Sequence, residues 1–259
     1  MNDIKYILAT GGDLPAIQSL LADCHLPTDG IELLAGNCIV AKLDSRLVGT
    51  VALEPCGRSA LLRSLAVAPE CRGRALGRAL TARMLTHARL LGVEQLCLLT
   101  TDAEPYFAAL EFKRIERADA PAQIQATSQF RSLCPKSAIC MARDISGEAI
   151  HASTDLLQLR ADVPGARMWA VSLRHTMLTY FEVEPRSRFE SHSHESEQIT
   201  MVLSGQLFFE VRGVVHCVKA GEVIAIPSSV PHAVWTESSP VTAIDAWSPV
   251  MRKYEPTKP

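Results

Sequence analysis

The sequence is short of aromatic side chains, at 5%, and has almost no excess of either charge: 26 Lys and Arg stand against 28 Asp and Glu, a net −2. The first shortage argues against a surface that stacks bases, the second against a general attraction to polyanions. With no helix-turn-helix pattern and no basic stripe carrying interleaved aromatics, no nucleic-acid partner is expected. Long apolar runs are missing too. Stretches such as Leu96–Leu99 and Val223–Ile226 fall far short of the ~20 residues that cross a bilayer, so no membrane partner is expected. The opening MNDIKYILATGG lacks the basic start, apolar core and small-residue cleavage site of a signal peptide. Eight cysteines occur without a CxxC pair or a tight framework, seven of them before residue 141. They read as reduced, mostly buried thiols; a soft-metal or arsenical site built from Cys134 and Cys140 is the weaker alternative. A soluble, cytoplasmic protein is the expectation.

What is present is ample apolar side chain, 47% of 259 residues, enough for one large core or two modest ones. Composition shifts near residue 145: all three tryptophans (Trp169, Trp235, Trp247) and six of the eight histidines follow it. The segment from Asp144 to Thr154, DISGEAIHAST, is small and polar. Residues 1–145 and 165–259 are therefore expected to form two unlike domains joined by a linker over 146–164.

The first of these alternates strand and helix. Asp13 is a candidate N-cap with Pro15 in the first turn, and that helix should run to about Cys24. Strands are expected at Ile39–Lys42, Leu47–Leu53, Leu61–Val67 and Gln95–Thr100, with another beginning at Lys113. Residues 77–91 put Leu80, Met84, Ala88 and Leu91 on one helical face, and a short helix is expected at Glu104–Leu110. This pattern predicts an α/β (α+β) domain around a mixed sheet. After residue 165 the pattern changes to short β-rich runs punctuated by glycine and proline. They are Met168–Leu173, Met177–Val183, Ile199–Leu203, Leu207–Val211, Val223–Ile226, Ala233–Trp235 and Val241–Ala246. A sandwich or small barrel is predicted.

The most informative stretch of the first domain is LLRSLAVAPECRGRALGRALTARML, residues 61–85. A strand ends at Val67, Pro69 stops it, and Arg72-Gly73-Arg74-Ala75-Leu76-Gly77 leads into a helix. Glycines let successive N–H groups converge, and the helix N-terminus adds partial positive charge, which suits a pyrophosphate. Five arginines (Arg72, Arg74, Arg78, Arg83, Arg89) and no acidic residue lie between Cys71 and Gly92. The plain alternative is an ordinary strand–helix connection with solvated arginines.

LAVAPECRGRALGRAL resembles the acetyl-CoA motif of the GNAT superfamily of N-acetyltransferases, Arg/Gln-x-x-Gly-x-Gly/Ala, mapping to Arg72, Ala75 and Gly77. The segment 118–138 also resembles the arsenic-resistance branch of that superfamily. The resemblance implies acetyl-CoA as cofactor, held by Arg72, Gly73, Arg74, Ala75, Leu76, Gly77 and Arg78. It also implies backbone N–H groups around Leu65, Ala66 and Val67 polarising the thioester, and direct attack by a small primary amine, amino-acid-like if the arsenic branch applies. Three positions depart from the pattern. Ala75 replaces a glycine, so a negative φ is expected there. Glu111 replaces another before Phe112. Phe107 occupies the usual tyrosine acid position, leaving Tyr106 either as the acid in a shifted helix or as a packing residue, with water as another proton source. Glu54 and Asp102 are candidate bases or plain surface charges.

In the second domain, FESHSHESEQITMVLSG (189–205) carries His192 and His194 two apart, on one face of an extended strand. Gln198 follows, and GEVIAIPSSVPHAVW (221–235) brings His232. Three imidazoles and an oxygen donor suit Zn, Fe, Ni or Mn. Both blocks resemble the two motifs of the cupins, HxHxxxE with a following glycine (His192, His194, Gln198, Gly205) and Gly-x5-Pro with a later histidine (Gly221, Pro227, His232). The resemblance implies a cupin barrel (double-stranded β-helix or jelly roll) over about 165–250 and, by analogy, a homodimer. Arg186 and Ser229 stand at glycine positions of that pattern, and Gln198 at its glutamate, which removes a negative charge from the ligand set. Glu197 would serve only if the loop shifts, since alternation points it to the other face. Tyr180 and Trp235 are candidates for the pocket wall or for core packing; His175 and His216 read as strand or loop residues. The expectation is an acetyl-CoA-dependent N-acetyltransferase fused to a metal-binding cupin. The alternatives make the cupin the catalytic module or a small-molecule sensor beside a degenerate first domain.

Overall fold

In the computed structural model, residues 4–153 and 156–255 are described, and the chain divides between Leu156 and Leu157 into two units. The first is built on strands β1 (Ile4–Leu8), β2 (Cys38–Leu43), β3 (Arg46–Cys56), β4 (Ser59–Val67), β5 (Gln95–Thr100), β6 (Lys113–Ile115) and β7 (Ile139–Asp144). They form one mixed sheet in the order β1-β2-β3-β4-β5-β7-β6. Helix α1 (Leu14–Asp23) starts after Asp13. Asp13 holds the N-cap position, but its carboxylate accepts from the Thr10 N–H and hydroxyl, each at 2.9 Å, and pairs with Lys42 at 2.5 Å. Helix α2 (Leu76–Leu90) buries Leu80, Met84 and Ala88 completely, each large side chain stabilising by about 1.5–3 kcal/mol. It stops one residue short of the expected Leu91, where Gly92 turns the chain at φ 75°. Gly49 of β3 permits close packing, since a Cβ there would lie 2.9 Å from Leu80 Cδ1.

Two irregularities shape the middle of this sheet. β4 carries a bulge opposite β3, with Ser64 at φ 56°. It runs parallel to β5, but the two pair only over Ser59–Leu61. Beyond Leu61, with the ladder no longer closed, they separate. Helix α3 (Glu104–Ala108) follows β5, and α4 (Ala122–Gln125) precedes a π-helical turn at Gln129–Leu133. Ile124 and Phe130 pack on Cys97 and Cys140, and burial pushes those thiols up to about 12 and about 11. Cys140 is thus inert core, and among the described residues no potential metal cluster contains a cysteine. The Cys134–Cys140 alternative is not supported.

The second unit comprises β8 (Arg160–Val163), β9 (Ala166–Ser172), β10 (Met177–Val183), β11 (Arg188–His192), β12 (Glu197–Ser204), β13 (Gln206–Val211), β14 (Val214–Lys219), β15 (Val223–Ile226), β16 (His232–Trp235) and β17 (Val241–Ser248). A six-stranded sheet, β15-β12-β17-β10-β9-β8, and a four-stranded sheet, β11-β16-β13-β14, make up this all-β cupin fold. The end of the expected 146–164 linker is strand β8, which pairs with β9. Inward-facing residues on alternate positions, among them Met168, Phe181, Val202, Phe209, Val241 and Ala243, form the core. The same alternation brings Gln198, Thr200 and Asp245 inside.

Candidate cofactor cleft and metal centre

The separation of β4 from β5 leaves a cleft of ≈ 360 Å³. Arg63, Leu65, Asp102, Phe107 and Cys134 are on its wall. Of the three expected N–H donors, Leu65 lines the cleft, while Ala66 and Val67 pair with Thr50 and Gly49 of β3. Arg72 Nε donates to the Val67 carbonyl at 3.1 Å, and its Nη2 lies 3.6 Å from Cys24 Sγ. Gly73 and Ala75 both adopt left-handed backbone, at φ 76° and φ 60°. The expectation of a negative φ at Ala75 is therefore wrong: the turn demands a left-handed residue there, and alanine is forced into it. Leu76 is buried at the first position of α2, and Arg74 and Arg78 are exposed. Two of the five arginines point elsewhere, Arg83 lying over the Tyr6 ring at 4.1 Å and Arg89 donating to the Val93 carbonyl at 3.1 Å.

Tyr106 and Phe107 separate as a ~100° step along a helix requires. Phe107 is buried on the cleft wall. The Tyr106 hydroxyl lies 3.3 Å from Thr81 Oγ1, which itself donates to the Gly77 carbonyl, and a Cβ on Gly77 would stand 3.0 Å from it. Glu54 is tied to Arg63 at 3.1 Å and does not line the cleft, whereas Asp102 does. Arg63, which sequence reading missed, is 7% exposed and also donates to the Asp29 carbonyl at 2.7 Å. With the Gln129 amide oxygen turned toward it, that guanidinium has two further contacts at 2.6 and 3.2 Å, so its charge is fully engaged.

In the second domain His192, His194 and His232 come together with one ring nitrogen of each within 4.8 Å of the others. His192 ends β11, but His194 lies beyond the strand, in the loop before β12, so the pair does not share one strand as the HxH spacing suggests. Each Nδ1 faces a backbone carbonyl: Glu190 at 2.8 Å, Ser196 at 2.7 Å and Val230 at 2.9 Å, respectively. Nδ1 is thereby the protonated nitrogen, and each Nε2 keeps its lone pair. Burial holds the His192 and His232 rings below the usual histidine range, favouring the neutral form. Gln198 donates through its amide nitrogen to Thr200 at 2.9 Å and directs its oxygen at His194 Nε2, 3.2 Å away. Two lone pairs face each other there, and the buried Nε2 of His232 has no hydrogen-bond partner. A cation resolves both, so the donor set fits a divalent transition metal. Glu197 is exposed on the opposite face of β12.

The adjoining cavity, ≈ 250 Å³, has a wall of Phe181, Phe189, Leu207, Trp247 and Tyr254. Neither Tyr180 nor Trp235 is part of it: they stack on Trp169 and Phe208 at 5.4 and 5.7 Å. Sequence reading missed Asp245 and Lys253, which also line it. Burial pushes the Asp245 carboxyl up to about 7, against hydrogen bonds from Thr200 and Gln198, and its Oδ1 has no partner among the described residues. The signal for Asp245 was an acid at an inward position of an alternating strand.

Comparison with known proteins agrees with this architecture. Residues 35–114 match the acetyltransferase (GNAT) domain model and residues 179–247 the cupin domain model. The chain thus carries a GNAT acetyltransferase domain followed by a cupin domain. Among solved structures it is similar to Rv2747 of Mycobacterium tuberculosis, solved with CoA and NLQ, at 23% identity over 54% of this chain and 98% of that one, TM-score 0.48. It is also similar to an RmlC-like cupin of Shewanella frigidimarina, at 18% identity over 41% and 96%, TM-score 0.39. A third similarity is to the Bacillus subtilis oxalate decarboxylase, studied for its Mn(II) centres, at 16% identity over 36% and 27%, TM-score 0.33. No helix among the described residues is long and apolar enough to cross a membrane.

Proposed function

We propose that the chain transfers an acetyl group from acetyl-CoA to the nitrogen of a small primary amine, and that its cupin domain holds a divalent transition metal. The observation that carries the first part is the opening of β4 from β5 beyond Leu61, followed along the chain by the left-handed turn at Gly73 and Ala75 that leads into α2. The first N–H groups of α2 have no partner within the helix and favour a pyrophosphate, with Arg74 and Arg78 beside them. Bound there, acetyl-CoA supplies the activated acyl group. The Leu65 N–H on β4 would be the group to polarise its carbonyl. Asp102 attracts the acceptor ammonium and takes its proton, because Arg63 is already neutralised by Glu54. Tyr106 is assigned the packing role, holding the first turn of α2 through Thr81, and water protonates the leaving thiolate.

Calorimetric titration of acetyl-CoA into the full chain tests this reading. Micromolar binding is expected, weakened by Gly77→Asp, which sets a carboxylate among the turn's N–H groups. No binding at millimolar acetyl-CoA overturns it. A second reading makes the cupin the catalytic module, favoured by the three converging Nε2 atoms. An activity independent of acetyl-CoA, dependent on metal and lost in His192→Ala would establish that reading instead.

A further inference from the structure

His192, His194, Gln198 and His232 are all neutral donors, so an ion held by them keeps its full charge. This inference rests on that metal reading. Lys253 adds a second cation: it lines the same cavity, close enough for its charge to act on both His192 and His232. The backbone beside it is held, because Arg160 Nη2 donates to the neighbouring Tyr254 carbonyl at 2.8 Å. The ammonium lies over the Tyr254 ring at 4.8 Å and has no carboxylate partner among the described residues. Carboxylates on the wall offset little of this charge. Glu190 is already paired with Arg188, 3.3 Å from its Nε. Asp245 is the other, and counting it as fully ionised still leaves a positive excess once a divalent ion is present. An uncompensated divalent ion facing a wall of Phe181, Phe189, Leu207 and Trp247 is unfavourable unless a counter-charge enters with the occupant, and Lys253, itself exposed to solvent, adds attraction for an anion.

We propose that this cavity binds a small organic carboxylate, its head group spanning the metal ion and Lys253 Nζ and its apolar body lying against Phe181, Phe189 and Leu207. The ≈ 250 Å³ of space lies below the range of drug-sized pockets and selects a compact molecule. Asp245 Oδ1, buried without a partner, gives preference to a body carrying a hydroxyl or N–H donor.

The test uses the full chain loaded with Mn²⁺, uptake being read from loss of the free-ion electron paramagnetic resonance signal. Acetate, butyrate and benzoate are then titrated calorimetrically against the matching alcohols, in a buffer free of carboxylate and phosphate. Carboxylates are expected to bind ~10-fold or more tightly than the alcohols. Lys253→Gln should remove that preference and leave Mn²⁺ uptake intact. Equal binding of the two series, or a preference unchanged in Lys253→Gln, overturns the proposal. Failure to take up Mn²⁺ overturns the metal reading, and the carboxylate site that rests on it falls with it; uptake without a carboxylate preference overturns the carboxylate site alone.

Discussion

Replacing Ala75 with glycine should stabilise the first domain, against the usual sign of that substitution. Ala75 precedes α2 at φ 60°, ψ 12°, a conformation that costs an L residue about 1–2 kcal/mol. Glycine removes that strain and loses about 0.5–1 kcal/mol to the greater freedom of the unfolded chain. A net gain of about 0.5–1 kcal/mol follows, and the residue is exposed, so no core contact opposes it. Ala82 provides the control. It is exposed in the middle of α2, where Ala82→Gly should cost about 1 kcal/mol. Among the described residues every α-helix lies in the first domain, so urea unfolding followed at the helical circular-dichroism band reports on it. The two glycine variants must move the midpoint in opposite directions. If both lower it equally, the left-handed turn is refuted, and with it the curvature that gathers the N–H groups for a phosphate.

The other substituted glycine positions behave the same way. Arg186→Gly and Ser229→Gly, at φ 59° and 61°, should each stabilise the second domain by about 0.5–1 kcal/mol, read by tryptophan fluorescence. Glu111→Gly, at φ 66°, should gain less because it gives up the 2.7 Å contact with Arg143. Gln198→Glu should tighten divalent-metal binding ~10-fold or more by restoring a negative ligand; unchanged affinity in a chelator competition would show that Gln198 does not ligate. Burial holds the His87 imidazole at about 4 instead of 6.5. Its stabilising effect is therefore complete above pH 6.5 and is lost as the pH falls toward 4, by up to about 3 kcal/mol, because only the unfolded chain takes up the proton. His87→Gln should flatten that part of the stability profile, and an unchanged slope would remove His87 as its source.

Much of the fold was legible as apolar runs bounded by turn residues. Strands β5, β10 and β15 begin and end where the sequence places them, at Gln95–Thr100, Met177–Val183 and Val223–Ile226. Strands β1, β8 and β14 were not read, and each lies at the edge of its sheet. An edge strand is held by its ladder to one neighbour and need not carry a buried face. In β14, Val214–Cys217 are all exposed, and β8 is a short segment inside the expected linker. His192, His194, Gln198 and His232 were readable because their spacing is local to two short segments, β11 to β12 and β15 to β16. The left-handed backbone at Ala75 was misread because residue type points away from it.

Residue order alone determined the division into two unlike domains, the strand–turn–helix with its arginines, and the imidazole and amide donors. Each is written in periodicity, turn residues or short spacing, which act over a few residues. Tertiary structure decided which of those groups meet. Arg63 was neutralised by Glu54 across β3 and β4, Phe107 rather than Tyr106 was turned to the cleft, and Asp245 and Lys253 were brought to the histidines from β17 and the final turn. Such meetings depend on strand pairing and sheet packing between distant segments, where a one-residue shift of register sends a side chain to the opposite face.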